Sequence, residues 1–307
     1  MQIFNRTALT RIVLITAVLF SVFFLISAIS PDLDLRSVLT GKSWSLVALL
    51  VLAVVMHFLL EPLRWYAYVL QGDSTRATDA ARFEAVFAVL SATALLSYSL
   101  PFKLGLPTRI YLIREYLGLA SQRIIFFLTV DGVISIATWA IFGGVSFVYL
   151  LPRMVLQSVV VYAVAGVIVL LLLLFFARRL VRKLLQPLRS RDFSISSRAL
   201  AFCSSVVVLD VVGYGIRHLA IFLVLDIPVS YAEGFLIGVL SVFAGIASTL
   251  PLGLGAYDAT LVFLLASQGV ALELAGLTPI INRTLNLLSS IVFGALGSAL
   301  LVRKSTA

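Results

Sequence analysis

Long apolar stretches separated by short polar or basic stretches make up most of this chain. Their apolar residues run continuously instead of alternating with polar ones, and most stretches have about the 20 residues that an α-helix needs to cross a bilayer. We therefore predict an all-α protein that passes through a membrane several times. Hydropathy delimits eight apolar segments, at 12–29, 43–60, 83–100, 124–150, 154–176, 200–225, 232–267 and 276–302.

Two of these segments are interrupted by proline and glycine. The frame Leu-Pro-x-x-Leu-Gly occurs at 100–105 and again at 250–255. Proline and glycine break a helix there and release backbone groups that lipid cannot satisfy, so such a break is expected where it lines a site. The residues that break the helices are Pro101, Gly105, Pro107, Pro251, Gly253 and Gly255.

Each interrupted segment is predicted to form a re-entrant hairpin of two short helices. The predicted helices cover 83–97 with 108–117, and 232–249 with 256–267. The alternative is that two ordinary kinked helices share the frame by chance. Elsewhere we expect Pro62 to end the second segment, which places Arg64 and Trp65 at the membrane interface.

The distribution of Lys and Arg orients these elements. With about six spanning helices and two hairpins, most of the 23 Lys and Arg residues fall on one side, including those at 178–198. Short loops rich in Lys and Arg stay in the cytoplasm, so we predict a multi-pass protein of the cytoplasmic (inner) membrane with both termini inside. Three spans separate the hairpins, which predicts an inverted repeat. We treat 1–307 as one integral membrane domain, with repeats at about 43–150 and about 198–302.

Composition supports a membrane protein and excludes several functions. Hydrophobic residues make up 61% of the chain and charged residues 12%, with a mean hydropathy of +1.11, whereas roughly a quarter of the residues of soluble domains are charged. The net charge of +9 is explained by helix orientation, so we expect no nucleic acid as a partner. With one cysteine and two histidines, we expect no metal site, no cofactor and no catalytic residues. We interpret His218 as a satisfied core residue in preference to a proton relay.

Four basic residues are predicted at membrane depth, where a charge is costly and marks a functional site. Lys103 and Arg109 flank the first break, where they could hold a phosphate, although Lys103 could equally reach the interface on its flexible stem. Arg283 could bind a phosphate through two N–H groups, or it could pair with Asp258, which we expect to gate the site. We predict that Lys103, Arg109, Arg283 and Arg217 bind the substrate.

Asp131 and Asp210 are two further acidic candidates for gating or ion pairing. Asp131 could bind a proton or a coupling ion, or it could pair with Arg109 or Arg123. Asp210 precedes Arg217 by seven residues, so both side chains should face the protein interior without touching.

Four motifs give the chain a resemblance to a known family. They are Arg64-Trp65, the Pro-x-x-x-Gly-x-x-x-Arg segment at 101–109, the segment at 250–258 and Asn282-Arg283. In these motifs the chain resembles the transmembrane, flippase-like domain of the lysylphosphatidylglycerol synthase family, over roughly residues 59–297. The resemblance implies translocation of a lipid or lipid-linked molecule, or an accessory role in envelope lipid metabolism. We expect a stand-alone member without the soluble synthase domain, so aminoacyl transfer is not implied.

We therefore expect a transporter and not an enzyme, with an anionic lipid or a lipid-linked substrate of the polyprenyl-phosphate type as its cargo. The first alternative is a non-transporting accessory protein or regulator of envelope lipid or glycan synthesis. The second is an intramembrane enzyme that acts on a lipid headgroup. The expected partner is an anionic membrane lipid, and a homodimer or an envelope-biosynthesis partner is left open.

Overall fold

The computed structural model describes residues 44–71, 79–99, 105–150, 195–248 and 255–306. Within these ranges the chain folds into eight α-helices. They are α1 (Trp44–Leu70), α2 (Asp79–Ser99), α3 (Gly105–Leu117), α4 (Ser121–Leu150), α5 (Ser197–Val224), α6 (Tyr231–Ala247), α7 (Ala256–Ser267) and α8 (Leu272–Thr306).

Among the helices of the described ranges, four are long and apolar enough to cross a membrane: α1, α4, α5 and α8. These helices confirm the predicted all-α polytopic membrane fold in the part of the chain that the structure describes. The predicted spans at 12–29 and 154–176 lie outside the described residues. The total of six spans therefore stays a prediction.

The two predicted hairpins are present as pairs of packed helices. α2 packs on α3, and α6 packs on α7. Arg123 Nη2 donates to the carbonyl of Gln71 at 2.9 Å, so the start of α4 lies beside the end of α1, and α2 with α3 returns the chain to the same end of the bundle. That these hairpins are re-entrant in a membrane stays a prediction. Of the predicted break residues, Pro101, Pro251 and Gly253 lie outside the described residues, as does Lys103.

The glycine that ends each break has a distinct local role. Gly105 begins α3 so close to α2 that a Cβ would overlap the Thr93 carbonyl and Ser97. Pro107 follows in the first turn of α3, where backbone N–H groups have no carbonyl partner within the helix. Proline, which lacks the N–H, therefore costs no helical hydrogen bond there. Gly255 precedes α7 with φ at 82°, in the left-handed region that favours glycine.

The helix contacts repeat between the two halves of the chain. α1 packs on α5, and the pairs α1–α2, α2–α3 and α3–α4 have the counterparts α5–α6, α6–α7 and α7–α8. The first helix of each hairpin also packs on a long helix of the other half of the chain. α2 packs on α8, and α6 packs on α4. These matching contacts are what the repeats at about 43–150 and 198–302 require. The contacts agree with the repeat, which stays a prediction, as does its inversion relative to a membrane.

The two largest clusters of buried apolar side chains lie near opposite ends of the bundle. One includes Trp65 at the end of α1 and Phe127 near the start of α4. The other includes Leu50 near the start of α1, Phe222 near the end of α5 and Leu261 of α7. Between these clusters, the middle parts of α1, α5 and α8 carry the polar side chains that form the candidate site.

Pro62 does not end α1, so that prediction is wrong. The helix continues through Pro62 to Leu70, although proline cannot donate to the carbonyl four residues earlier. The continuation buries Arg64, Trp65 and Tyr68 inside the bundle, and this packing outweighs the missing hydrogen bond. For the same reason, Arg64 and Trp65 do not lie at an interface as predicted.

Candidate functional site

One face of α1 carries four polar side chains. They are His57, Glu61, Arg64 and Tyr68, and their spacing of four, three and four residues places them on one side of the helix. Each of the four contacts a side chain of another helix. The polar face of α1 therefore lies inside the bundle.

Arg109 of α3 binds Glu61 of α1. The Nη1 atom of Arg109 lies 2.6 Å from Glu61 Oε1, and its Nε–H donates to Thr93 Oγ1 of α2 at 3.3 Å. The pair holds the first hairpin against α1. Arg109, which is predicted to bind the substrate, thus has its charge balanced by a carboxylate in this structure.

Asp131 of α4 pairs with Arg64 of α1. Arg64 Nε lies 2.7 Å from Asp131 Oδ1, although the N–H does not point along that line, so the contact is an ion pair and not a hydrogen bond. Tyr68 donates its O–H to the same oxygen at 3.3 Å. Of the two alternatives for Asp131, the structure shows an ion pair, but its partner is neither Arg109 nor Arg123, because α1 supplies the guanidinium. We call Glu61, Arg64, Tyr68, Thr93, Arg109 and Asp131 the first polar cluster.

His57 joins α1 to α5. Its Nδ1 lies 2.8 Å from Asp210 Oδ1, and its Nε2 lies 3.3 Å from Tyr214 Oη. The contact with Asp210 is a salt bridge when the imidazole is protonated and a hydrogen bond when it is neutral. Asp210, predicted as a gating or ion-pairing residue, therefore has a histidine partner.

Arg217 of α5 is buried without a carboxylate beside it. Its side chain is about 1% exposed, its Nη1 donates to Asn286 Oδ1 of α8 at 2.7 Å, and its Cζ lies 4.4 Å from the centre of the Tyr214 ring. Among the described residues, no Asp or Glu lies within ion-pair distance of it. Asp210 and Arg217 thus both face the interior without pairing, as predicted.

His218, Tyr257 and Asn282 form a chain of hydrogen bonds next to Arg217. His218 Nδ1 lies 2.8 Å from the Tyr214 carbonyl, which can only accept, so Nδ1 carries the hydrogen. In the neutral ring, Nε2 then accepts from the Tyr257 O–H at 2.8 Å, and Asn282 Nδ2 donates to the Tyr257 oxygen at 2.7 Å. His218 is therefore a satisfied core residue, as predicted.

Arg283 of α8 binds Asp258 of α7 through two hydrogen bonds. Nε donates to Oδ1 at 2.9 Å, and Nη2 donates to Oδ2 at 2.7 Å. Oδ2 also accepts from the Gly255 N–H at 3.1 Å. The side chains of Arg283 and Asp258 are 24% and 29% exposed, and the structure shows the ion pair that is one of the two alternatives for Arg283. We call Arg217, His218, Tyr257, Asp258, Asn282, Arg283 and Asn286 the second polar cluster.

Tyr214 connects the His57–Asp210 contact to the second polar cluster. Its hydroxyl contacts His57 on α1, its ring lies against Arg217, and its carbonyl accepts from His218. His57, Asp210, Tyr214 and the second polar cluster therefore form one connected polar region.

Comparison with known proteins identifies the family of this chain. A family model described as the lysylphosphatidylglycerol synthase TM region matches residues 9–294. The chain belongs to this family. No curated protein and no solved structure matches it. Membership confirms the resemblance and indicates a membrane protein related to lipid handling.

The motifs that resemble this family meet in the two polar clusters. Arg64 and Arg109 lie in the first, and Asp258, Asn282 and Arg283 lie in the second. In the described part of the chain, the predicted cations therefore divide into two that are ion-paired, Arg109 and Arg283, and one that is not, Arg217. A role of any of them in binding a substrate stays a prediction.

Three polar positions of α1 recur in α5 at one separation of 153 residues. The pairs are His57 with Asp210, Glu61 with Tyr214 and Arg64 with Arg217. Sequence reasoning missed Glu61 and Tyr214 as site residues, and this repeated spacing is the signal that could have found them. It also missed Tyr257 and Asn286, for which no comparable signal exists because their partners come from other helices.

Proposed function

We propose that this protein is a transporter that translocates an anionic lipid, either a phospholipid or a lipid-linked molecule of the polyprenyl-phosphate type. The observation that carries the proposal is the pairing of Arg283 with Asp258. It joins the interior of a membrane-spanning helix to the first turn of the helix that follows a break. Family membership supports lipid handling, and the pair supports a negatively charged headgroup.

The geometry of this pair allows one anion to replace another. Phosphate oxygens accept from the same two N–H groups as a carboxylate does, and the partial exposure of Arg283 and Asp258 leaves room for a headgroup to approach. Asp258 would still accept from the Gly255 N–H after losing Arg283. In this proposal the carboxylate balances Arg283 when no lipid is bound, and the lipid phosphate displaces it.

The helix contacts support movement of one half of the bundle against the other. Because α2 packs on α8 and α6 packs on α4, each hairpin is held by a long helix of the opposite half. We propose that both hairpins are re-entrant, enter from opposite faces of the cytoplasmic (inner) membrane, and open alternately as the halves rock about the contact of α1 with α5.

Translocation of a fluorescent anionic phospholipid in reconstituted vesicles tests the proposed role of the pair. The double variant Arg283→Gln/Asp258→Asn keeps the two positions neutral and able to hydrogen-bond, but it removes the guanidinium. We expect the rate to fall at least about tenfold, which corresponds to ~1.4 kcal/mol. Arg123→Gln is the matched control and should leave the rate unchanged, because Arg123 binds the Gln71 carbonyl and lies outside both polar clusters.

An unchanged rate in a folded double variant would contradict the proposal. The accessory and enzyme alternatives give other results in the same vesicles. If the protein is an accessory protein, neither the native chain nor the double variant moves lipid in the vesicles. An enzyme produces a chemically altered headgroup, which mass spectrometry of the extracted lipids detects.

A further inference from the structure

The buried guanidinium of Arg217 has two nitrogens without a hydrogen-bond partner among the described residues. Nη1 donates to Asn286, whereas Nε and Nη2 have no such partner in that part of the chain. The side chain is about 1% exposed, so solvent does not satisfy these N–H groups in this conformation. A buried cation that lacks both a counter-charge and two of its hydrogen bonds is strongly destabilising unless something else supplies them.

Arg64 occupies the position of α1 that matches Arg217 of α5, and it has a counter-charge. Arg64 and Arg217 are 153 residues apart, the separation that also relates His57 to Asp210. Arg64 has a carboxylate, that of Asp131, 2.7 Å away. In contrast, the group beside Arg217 is the uncharged amide of Asn286. The first half of the bundle therefore supplies the anion from its own sequence, and the second half does not.

We infer that Arg217 binds an oxyanion, such as a phosphate or a carboxylate, through Nε and Nη2. Arg283 uses the same two nitrogens to bind both oxygens of Asp258, so this edge of a guanidinium fits a two-oxygen ligand. The third nitrogen, Nη1, is held by Asn286, which orients the free edge. Arg217 is buried, and the oxyanion supplies the negative charge that the described residues do not place beside it.

This oxyanion site lies next to the partly exposed pair of Arg283 and Asp258. The Tyr257 ring is 5.7 Å from Arg283 Cζ, and its hydroxyl contacts His218, which follows Arg217 in α5. If the proposed function holds, a headgroup phosphate that reaches Arg283 has a second, buried guanidinium beyond it. On that proposal, Arg217 is the inner binding position of the transported headgroup.

The variant Asn286→Asp tests the oxyanion site without removing the arginine. It replaces the amide with a carboxylate of nearly the same shape, which supplies Arg217 with the counter-charge that Asp131 supplies to Arg64. We expect the variant to melt at a higher temperature than the native protein when no oxyanion is present. Arg217→Gln removes the buried charge altogether and is the second variant. Gln268→Glu, which makes the same amide-to-acid change at the end of α7, is the matched control.

The measurement is the melting temperature of the full chain in neutral detergent at constant ionic strength. One arm titrates inorganic phosphate, another titrates phosphatidylglycerol in mixed micelles, and phosphatidylcholine is the uncharged reference. At about a hundredfold excess over Kd we expect the native protein and Gln268→Glu to gain roughly 5 °C. We expect Asn286→Asp and Arg217→Gln to gain less than about a tenth of that.

Each outcome decides the inference. Protection by phosphate shows a site for a free oxyanion. Protection by phosphatidylglycerol alone shows a site for a lipid headgroup. Either result supports the inference when Asn286→Asp and Arg217→Gln abolish the rise in melting temperature. Equal protection of native protein and variants, or no protection of the native protein in either arm, overturns it. Failure of the proposed transport is separate, because Arg283→Gln/Asp258→Asn should stop translocation while oxyanion protection through Arg217 persists.

Discussion

His57 of α1 and Asp210 of α5 approach to 2.8 Å, and they occupy matching positions 153 residues apart in the two halves of the chain. In a two-fold arrangement, residues that match and also touch lie on the axis. The same helices place Arg64 and Arg217 to either side of this contact, one turn beyond Glu61 and Tyr214 respectively. On the predicted two-fold relation of the two halves, the His57–Asp210 contact marks the centre of the bundle.

The contact of His57 with Asp210 should couple the stabilities of α1 and α5. We expect His57→Gln and Asp210→Asn each to destabilise the protein, and the double variant to cost less than their sum. The expected interaction energy is about 1–3 kcal/mol, as for residues in one hydrogen-bond network. Denaturation of the four proteins in one detergent measures it. Additive effects would show that the two side chains do not stabilise the contact of the helices.

Removing the carboxylate of Asp131 should destabilise the bundle strongly. Asp131→Asn leaves Arg64 buried without a counter-charge, which costs about 3–5 kcal/mol. The double variant Arg64→Gln/Asp131→Asn carries no unpaired charge and should recover most of that loss. Thermal unfolding of the single and double variants compares them. A double variant that is less stable than Asp131→Asn would contradict the pairing of Arg64 with Asp131.

Gly105 should not tolerate a methyl group. A Cβ at this position overlaps the backbone of α2 at Thr93 and Ser97, so Gly105→Ala must displace α3 from α2, at a cost of about 1–3 kcal/mol. Gly132→Ala is the matched control, because a Cβ at Gly132 meets no atom within 4 Å. We expect the melting temperature to fall for Gly105→Ala alone. Equal effects of the two changes would refute the close packing of the first hairpin.

Cysteine labelling in intact membranes can establish whether the first hairpin is re-entrant. In a Cys203→Ala background, Ser74→Cys and Glu115→Cys should be labelled from the same face, because α2 and α3 return the chain to one end of the bundle. Tyr231→Cys should be labelled from the other face. Labelling of positions 74 and 115 from opposite faces would show that α2 crosses the membrane completely.

The helices could be predicted from the sequence because their signals are local. Apolar runs fix the long helices, and the residues Pro107 and Gly255 mark the starts of α3 and α7. Pro62 misled the prediction because its effect depends on whether packing beyond it can hold the helix together. Propensity alone does not contain that information.

The side-chain partners were harder to predict than the helices. Arg283 with Asp258 could be predicted because both residues lie in recognisable motifs. Arg64 with Asp131 could not, because the choice among several arginines depends on how α1 packs against α4. Among the described residues, no carboxylate lies beside Arg217, and this too has no local signature. It depends on the side chains that all the neighbouring helices place there.

The most direct test of the central claim compares two lipids in the same vesicles. Native protein is reconstituted with fluorescent phosphatidylglycerol or fluorescent phosphatidylcholine, and the rate at which each reaches the opposite leaflet is measured against protein-free vesicles. We expect the anionic lipid to move at least about tenfold faster than in protein-free vesicles, and faster than the zwitterionic lipid. Movement of phosphatidylglycerol at the protein-free rate, or no preference between the lipids, would contradict it.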